Sequence, residues 1–251
     1  MSAAGALAPV SVLYAGSLVT PMEGPVAAAL RAQGIEFRGE PGGSKKLANY
    51  IAAGVRSPDA FIAVDESNVA RLGARVATST AFAQTALGIA WSDKTRFAVL
   101  LSKLQAGRAS LLDVLATPEL KIGRTDPQLD PKGVYTIAAM KELAGAPEEQ
   151  RLLGDDENSA QIFPEEDLLA RLDTGEIDIG FFYRTEAVAR GYHFVALPAA
   201  RASRVTYILA VMRDAPHPEQ AQAFARFILY GTGRQILQQA GVEYLIPPDT
   251  R

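Results

Sequence analysis

Between residues 10 and 65, short apolar runs alternate with stretches of helical period, and few folds accept that order. Residues 10–14, 35–39 and 58–65 read as strands. Residues 18–33 read as an amphipathic helix, and PGGSKKLANYIAAG (41–54) as a turn and a helix with Leu47, Tyr50 and Ile51 at helical spacing. SNVARL adds a short helix. Strand and helix alternating in this way build βαβ units and a parallel sheet. Sheets of that kind bind ligands beyond the carboxyl ends of their strands.

Two serines fall at those ends. In YAGSL, Ser17 follows a strand and a glycine at the start of a helix, and in PGGSKK, Ser44 does the same. A single serine there is ordinarily a helix cap. Two of them converging on one sheet edge also describe an anion pocket, because helix starts expose N–H groups that lack internal partners. The residues alone leave both readings open.

Beyond residue 85 the pattern changes. A strand at 85–95 leads out of the first block, followed by helices at 96–104 and 111–115 and a strand at 120–123. After the proline-rich RTDPQLDPKG come a helix at 134–143, then helix, strand and helix across 164–191, and a strand in HFVALP. The long β-rich segment 203–212 leads back, and helices at 218–230 and 232–239 close the chain. Leaving one block and returning to it implies two α/β lobes joined by a two-crossing hinge, 9–86 plus 207–251 for one and 87–206 for the other. A cleft between such lobes is a common ligand site, and a hinge of this type permits closure.

Composition removes several classes of function. With 251 residues the chain has ample length for real cores. A net charge of −3 leaves no basic footprint for nucleic acid. The chain has no cysteine, and His193 and His217 are its only histidines, so thiolate and histidine-rich metal centres are excluded and no cofactor is expected. The pairs Glu165/Glu166, Asp155/Asp156 and Asp93/Lys94 invite a catalytic reading. Adjacent carboxylates at a helix start chiefly complement its dipole, and no histidine base stands near them in sequence, so an enzyme is not expected. An effector domain of a transcriptional regulator would need a DNA-binding segment before residue 10. MSAAGALAPV has neither a basic n-region nor a long apolar run, and no stretch reaches transmembrane length; its alanine-rich start resembles the residues just after a leader cleavage site.

YAGSL, GGSKKLANYI, PDAFIAVDESNVARL, GRTDPQLDPKGVYT and TGEIDIGFFYRTEA, in this order and at these intervals, resemble the substrate-binding proteins of molybdate and tungstate ABC importers. The resemblance spans roughly residues 10–247. It implies a type II periplasmic binding protein fold, and a monomer in the periplasm or otherwise outside the cytoplasm that carries a tetrahedral oxyanion to an ABC permease in the membrane. The family's serine donors fall on Ser17 and Ser44, its backbone donors on Lys132 and near Glu165, and its donating phenol on Tyr183. The Lys132 side chain is expected at the surface, with only its backbone N–H engaged. No protein atom is expected to touch the metal, which is reached through its oxygens. The archaeal tungstate binders carry a metal-ligating glutamate where this chain has Phe182. Asp126 and Asp130 read as turn formers ahead of prolines. Lys132 stands where a small or apolar residue is usual, which keeps sulfate, phosphate and chromate open as alternative cargo.

Overall fold

The computed structural model describes residues 8–128, 130–155, 158–198 and 203–248, the side chains of Glu165 and Glu166 excepted. The strands are β1 (Ala8–Ala15), β2 (Ile35–Gly42), β3 (Ala60–Val64), β4 (Val76–Trp91), β5 (Ile122–Gly123), β6 (Ile179–Tyr183), β7 (His193–Ala196), β8 (Arg204–Met212) and β9 (Glu243–Tyr244). The chain divides into two compact units, Met1–Thr85 with Val205–Arg251, and Ala86–Arg204.

In the first unit β1 lies between β2 and β3 and is parallel to both, with Ala15 level with Gly42 and Val12 with Ala60. β3 then pairs antiparallel with β8, so that Val64 faces Tyr207. Every residue of β3 is buried, as expected of a strand with both faces covered. On one face Phe61 and Ala63 pack with Ile208, Ala210 and Met212. Leu47, Ala48 and Ile51 of the helix Ser44–Ala52 cover them, and each large side chain buried in this way contributes about 1.5–3 kcal/mol. The stretch 16–32 is helical throughout but not uniform. A π turn at Met22–Val26 contains Pro25, whose missing N–H and bulky ring disfavour ordinary α geometry.

In the second unit β5 is parallel to β6, while β6 and β7 run antiparallel to β4. β6 is buried at every position, and Phe182 joins Ala90, Leu168, Leu172, Ile177 and Ala187 in one cluster. At Gly88 the β7 backbone and the Phe194 ring approach β4 closely. A Cβ there would lie 2.3 Å from the Val195 carbonyl oxygen, which only glycine avoids.

Two elements differ from the sequence reading. β4 begins at Val76 rather than at residue 85, because its first six residues, VATSTA, are small and largely exposed and carry no apolar alternation. The helix Ala146–Leu153 has no counterpart in that reading; its AP start resembles a turn, although proline is well suited to a first helical turn.

Asp59, just before β3, is wholly buried. Its carboxylate accepts the Ser11 N–H at 2.7 Å and the His217 N–H at 2.6 Å, and lies 3.0 Å from His217 Nδ1. It therefore joins β1 to the start of the helix Pro218–Leu229. Hydrogen bonds to charged groups contribute about 1.5–3 kcal/mol each, so Asp59→Ala is expected to cost about 3 kcal/mol or more. His217→Ala removes only the ring contact and should cost about 1 kcal/mol. Urea unfolding of the two variants checks both the sizes and their order.

Candidate functional site

The first unit sets Ser17 and Ser44 on one edge. Ser17 lies in the 3₁₀ turn after β1, and Ser44 opens the helix after β2; the ends of those strands are level. Neither serine is a cap. The N-cap positions are Ala15 and Gly43, and neither makes a side-chain capping bond. Instead, buried Ser44 Oγ accepts the Val64 N–H at 2.9 Å, tying the helix to the end of β3. A hydroxyl that accepts in this way keeps its own proton to donate. Ser17 Oγ lies 2.9 Å from Tyr207 Oη. Neither the Ser17 turn nor the first turn of the Ser44 helix contains an acidic residue, so the partial positive charge of the helix start is not offset locally. Nearby, Tyr14 donates to Glu23 Oε1 at 2.5 Å. Burial first, then the Glu23 hydrogen bond and charge, raises the Tyr14 phenol far above its ordinary range.

The second unit gathers Lys132 and Tyr183, but not in the expected way. Asp130 caps the helix Pro131–Ala144, its Oδ1 accepting the Lys132 N–H at 2.8 Å. Asp126 accepts the Gln128 N–H at 2.7 Å, so both aspartates shape the turn. The expectation of a surface lysine is overturned. Lys132 is 1% exposed, its Nζ donates to Glu186 Oε1 at 2.7 Å, and it lies 5.2 Å and 5.7 Å from the ring centroids of Phe182 and Tyr183. The physical reason is the Asp-Pro-Lys order. Aspartate at the N-cap and proline at the first helical position put Lys132 at the second, where its backbone is capped. The side chain is then held inside by Glu186. That glutamate also accepts the Tyr183 N–H at 2.7 Å through Oε2.

Glu165 begins the helix Glu165–Thr174 after Pro164. The segment before it is bonded to the continuation of β5, with Arg124 N–H to the Gln161 carbonyl at 2.7 Å and Phe163 N–H to the Arg124 carbonyl at 3.0 Å. This places Phe163, two residues before Glu165, beside Arg124. The side chains of Glu165 and Glu166, and Asp156 as a whole, lie outside the described residues. Asp93 is paired with His193 at 2.8 Å on the surface. Among the described residues no group of three His, Cys, Asp or Glu could hold a metal ion. No described helix is long and apolar enough to cross a membrane.

Several residues here carry no local signal in the sequence. Tyr207 looks like any strand tyrosine until the β3–β8 pairing brings it to Ser17. Glu186 looks like a surface helix residue. The hydroxyls of Thr125 and Thr185 are buried and find no hydrogen-bond partner among the described residues, and they stand in the turn after β5 and at the helix start after β6.

The fold is that of the type II periplasmic binding proteins. The periplasmic molybdate-binding protein of Azotobacter vinelandii superposes with a TM-score of 0.72 over 95% of this chain and 99% of that one, at 16% identity. The chain belongs to the bacterial extracellular solute-binding protein family, whose pattern matches residues 10–243. A Haloferax volcanii protein provisionally named as an ABC transporter molybdenum-binding protein is 34% identical over 76% of this chain. The match spans 60% of that relative's own length. The molybdate/tungstate-binding protein WtpA of Pyrococcus abyssi is 23% identical over 94% of this chain and 85% of its own.

Ser44→Ala would leave the Val64 N–H without its acceptor in a buried place. The expected loss of stability is about 1–3 kcal/mol, larger than for Ser17→Ala, whose partner is a rotatable phenol. Thermal or denaturant melts of the two variants test this order.

Proposed function

We propose that this chain is the extracytoplasmic binding component of an ABC importer, and that it captures molybdate or tungstate and delivers it to a membrane permease. The donors we assign to the ligand are Ser17 and Ser44 in the first unit and, in the second unit, Lys132, Glu165 and Tyr183. The observation that carries the reading is the pair of serine hydroxyls at the level ends of two parallel strands, beside helix starts without carboxylates. Such neutral donors suit an oxyanion that must be bound and then released. The names of the Haloferax and Pyrococcus relatives support the same cargo.

The chemistry at the site is binding alone. Hydroxyl and amide donors pair with the lone pairs of the oxyanion, whose metal is reached only through its oxygens. Phe182 offers no oxygen, so the cargo keeps four-fold coordination. Selection then depends on donor placement and cavity size. Molybdate and tungstate, nearly equal in size, should bind comparably, and sulfate, which is smaller, should leave donors unmatched. An unmatched buried donor costs about 1–3 kcal/mol, so two or three of them put sulfate on the order of a thousandfold weaker. Calorimetric titration with molybdate, tungstate, sulfate, phosphate and chromate tests the proposal. Sulfate binding as tightly as molybdate would overturn the cargo, and a six-coordinate metal touching a carboxylate in a ligand-bound structure would overturn the geometry.

A further inference from the structure

We infer that the hydroxyls of Thr125 and Thr185 are two further donors to the bound oxyanion; the inference rests on the oxyanion reading of the site and extends its donor set within the second unit. Both residues are 1% exposed, and neither hydroxyl has a hydrogen-bond partner among the described residues. A buried hydroxyl without a partner gives up its bonds to water and regains nothing, so such a group is uncommon and calls for a reason. Here two of them stand next to residues already assigned to the ligand.

Strand order puts them there. β5 and β6 are parallel neighbours, with Gly123 level with Gly180, so the segments leaving their carboxyl ends share an edge of the sheet. Thr125 follows the end of β5 by two residues, and Thr185 follows the end of β6 by two. Thr125 also lies against the start of the helix that carries Lys132. A Cβ on Gly133 would come within 2.5 Å of the Thr125 carbonyl oxygen and 2.6 Å of the Pro127 nitrogen, so the two backbones are in contact. Thr185 lies in sequence between Tyr183 and Glu186, whose carboxylate folds back to accept the Tyr183 N–H at 2.7 Å. The Lys132 amide is already engaged by Asp130, whereas the two threonine hydroxyls keep their protons to donate. A hydroxyl donating to an anion makes a charge-assisted bond, stronger than one between neutral groups. The consequence is a difference of sign. Removing such a hydroxyl relieves the ligand-free protein and weakens the complex, whereas removing a hydroxyl with a structural partner weakens the ligand-free protein.

Valine has nearly the shape of threonine and no hydroxyl. Thr125→Val and Thr185→Val should each weaken molybdate binding by about tenfold or more. Each should leave the melting temperature of the ligand-free protein equal to or above that of the parent. Thr125→Ser and Thr185→Ser keep the hydroxyl and should bind molybdate within about threefold of the parent. Calorimetric titration with molybdate and thermal melts without it give both quantities. Affinity within about threefold of the parent in a valine variant overturns the inference for that residue. Lost affinity together with a lower ligand-free melting temperature, the mark of a structural hydroxyl, overturns it as well. If one valine variant fails to fold, the other, read against its serine counterpart, decides the matter. Each of these results leaves the oxyanion reading intact. Failure of the parent protein to bind molybdate overturns that reading, and this inference with it.

Discussion

Parallel pairing of β1 with both β2 and β3 is the constraint on which the first unit depends. Parallel neighbours cannot be joined by a hairpin, so each connection must cross over and return the chain to the same starting edge. The carboxyl ends of the strands then coincide, and Ala15 stands level with Gly42. The segments leaving those two residues must share an edge; one is a turn bearing Ser17 and the other a helix opened by Ser44. The antiparallel return of β8 brings Tyr207 to the same place, opposite Val64. Three hydroxyls from distant parts of the chain are thus joined by strand register, with Val64 N–H bonded to one and the other two bonded to each other.

The second unit treats its helix starts differently. A helix start carries roughly half a positive charge. In the first unit that charge has no acidic neighbour at the two serine turns. In the second, Asp130 sits on the start of Pro131–Ala144, and Glu186 lies in the first turn of Arg184–Arg190. Asp130 is absorbed by its own helix. Glu186 has a second duty at the Tyr183 amide and is balanced by Lys132. The Lys132 amide accordingly has an internal acceptor, and the hydroxyls of Thr125 and Thr185 carry more unused bonding capacity than that amide does.

The legible part of this molecule is what repeats or punctuates. The βαβ alternation marks the first sheet, because buried parallel strands and amphipathic helices have different periods. The glycine-serine turns are visible because their residue types are unusual between a strand and a helix. The Asp-Pro spacing around residues 126–131 shows two turn formers, and both aspartates do cap backbone amides. The features that stay hidden depend on partners far along the chain. Lys132 reads as a solvated lysine until Glu186, 54 residues later, closes on it. Tyr207 reads as core until Ser17 is placed, 190 residues away. The first leg of β4 escapes detection for the opposite reason: a largely exposed strand of alanine, serine and threonine has no period to read.

Phe182 belongs to the same balance of packing and charge. It is wholly buried and packs with Leu168, Leu172, Ile177 and Ala187, so its ring is part of what holds the second unit together. A glutamate in its place would bring a charge into an apolar cluster, a cost it could lower only by finding a cation. The cation at hand is Lys132, whose Nζ lies 5.2 Å from the Phe182 ring, and it is already bound to Glu186. A second carboxylate would compete for that ammonium and loosen the contact that orients Tyr183. Packing and charge balance therefore both disfavour a metal-ligating carboxylate at residue 182. An aromatic residue there and a paired lysine at 132 are parts of one packing and charge arrangement.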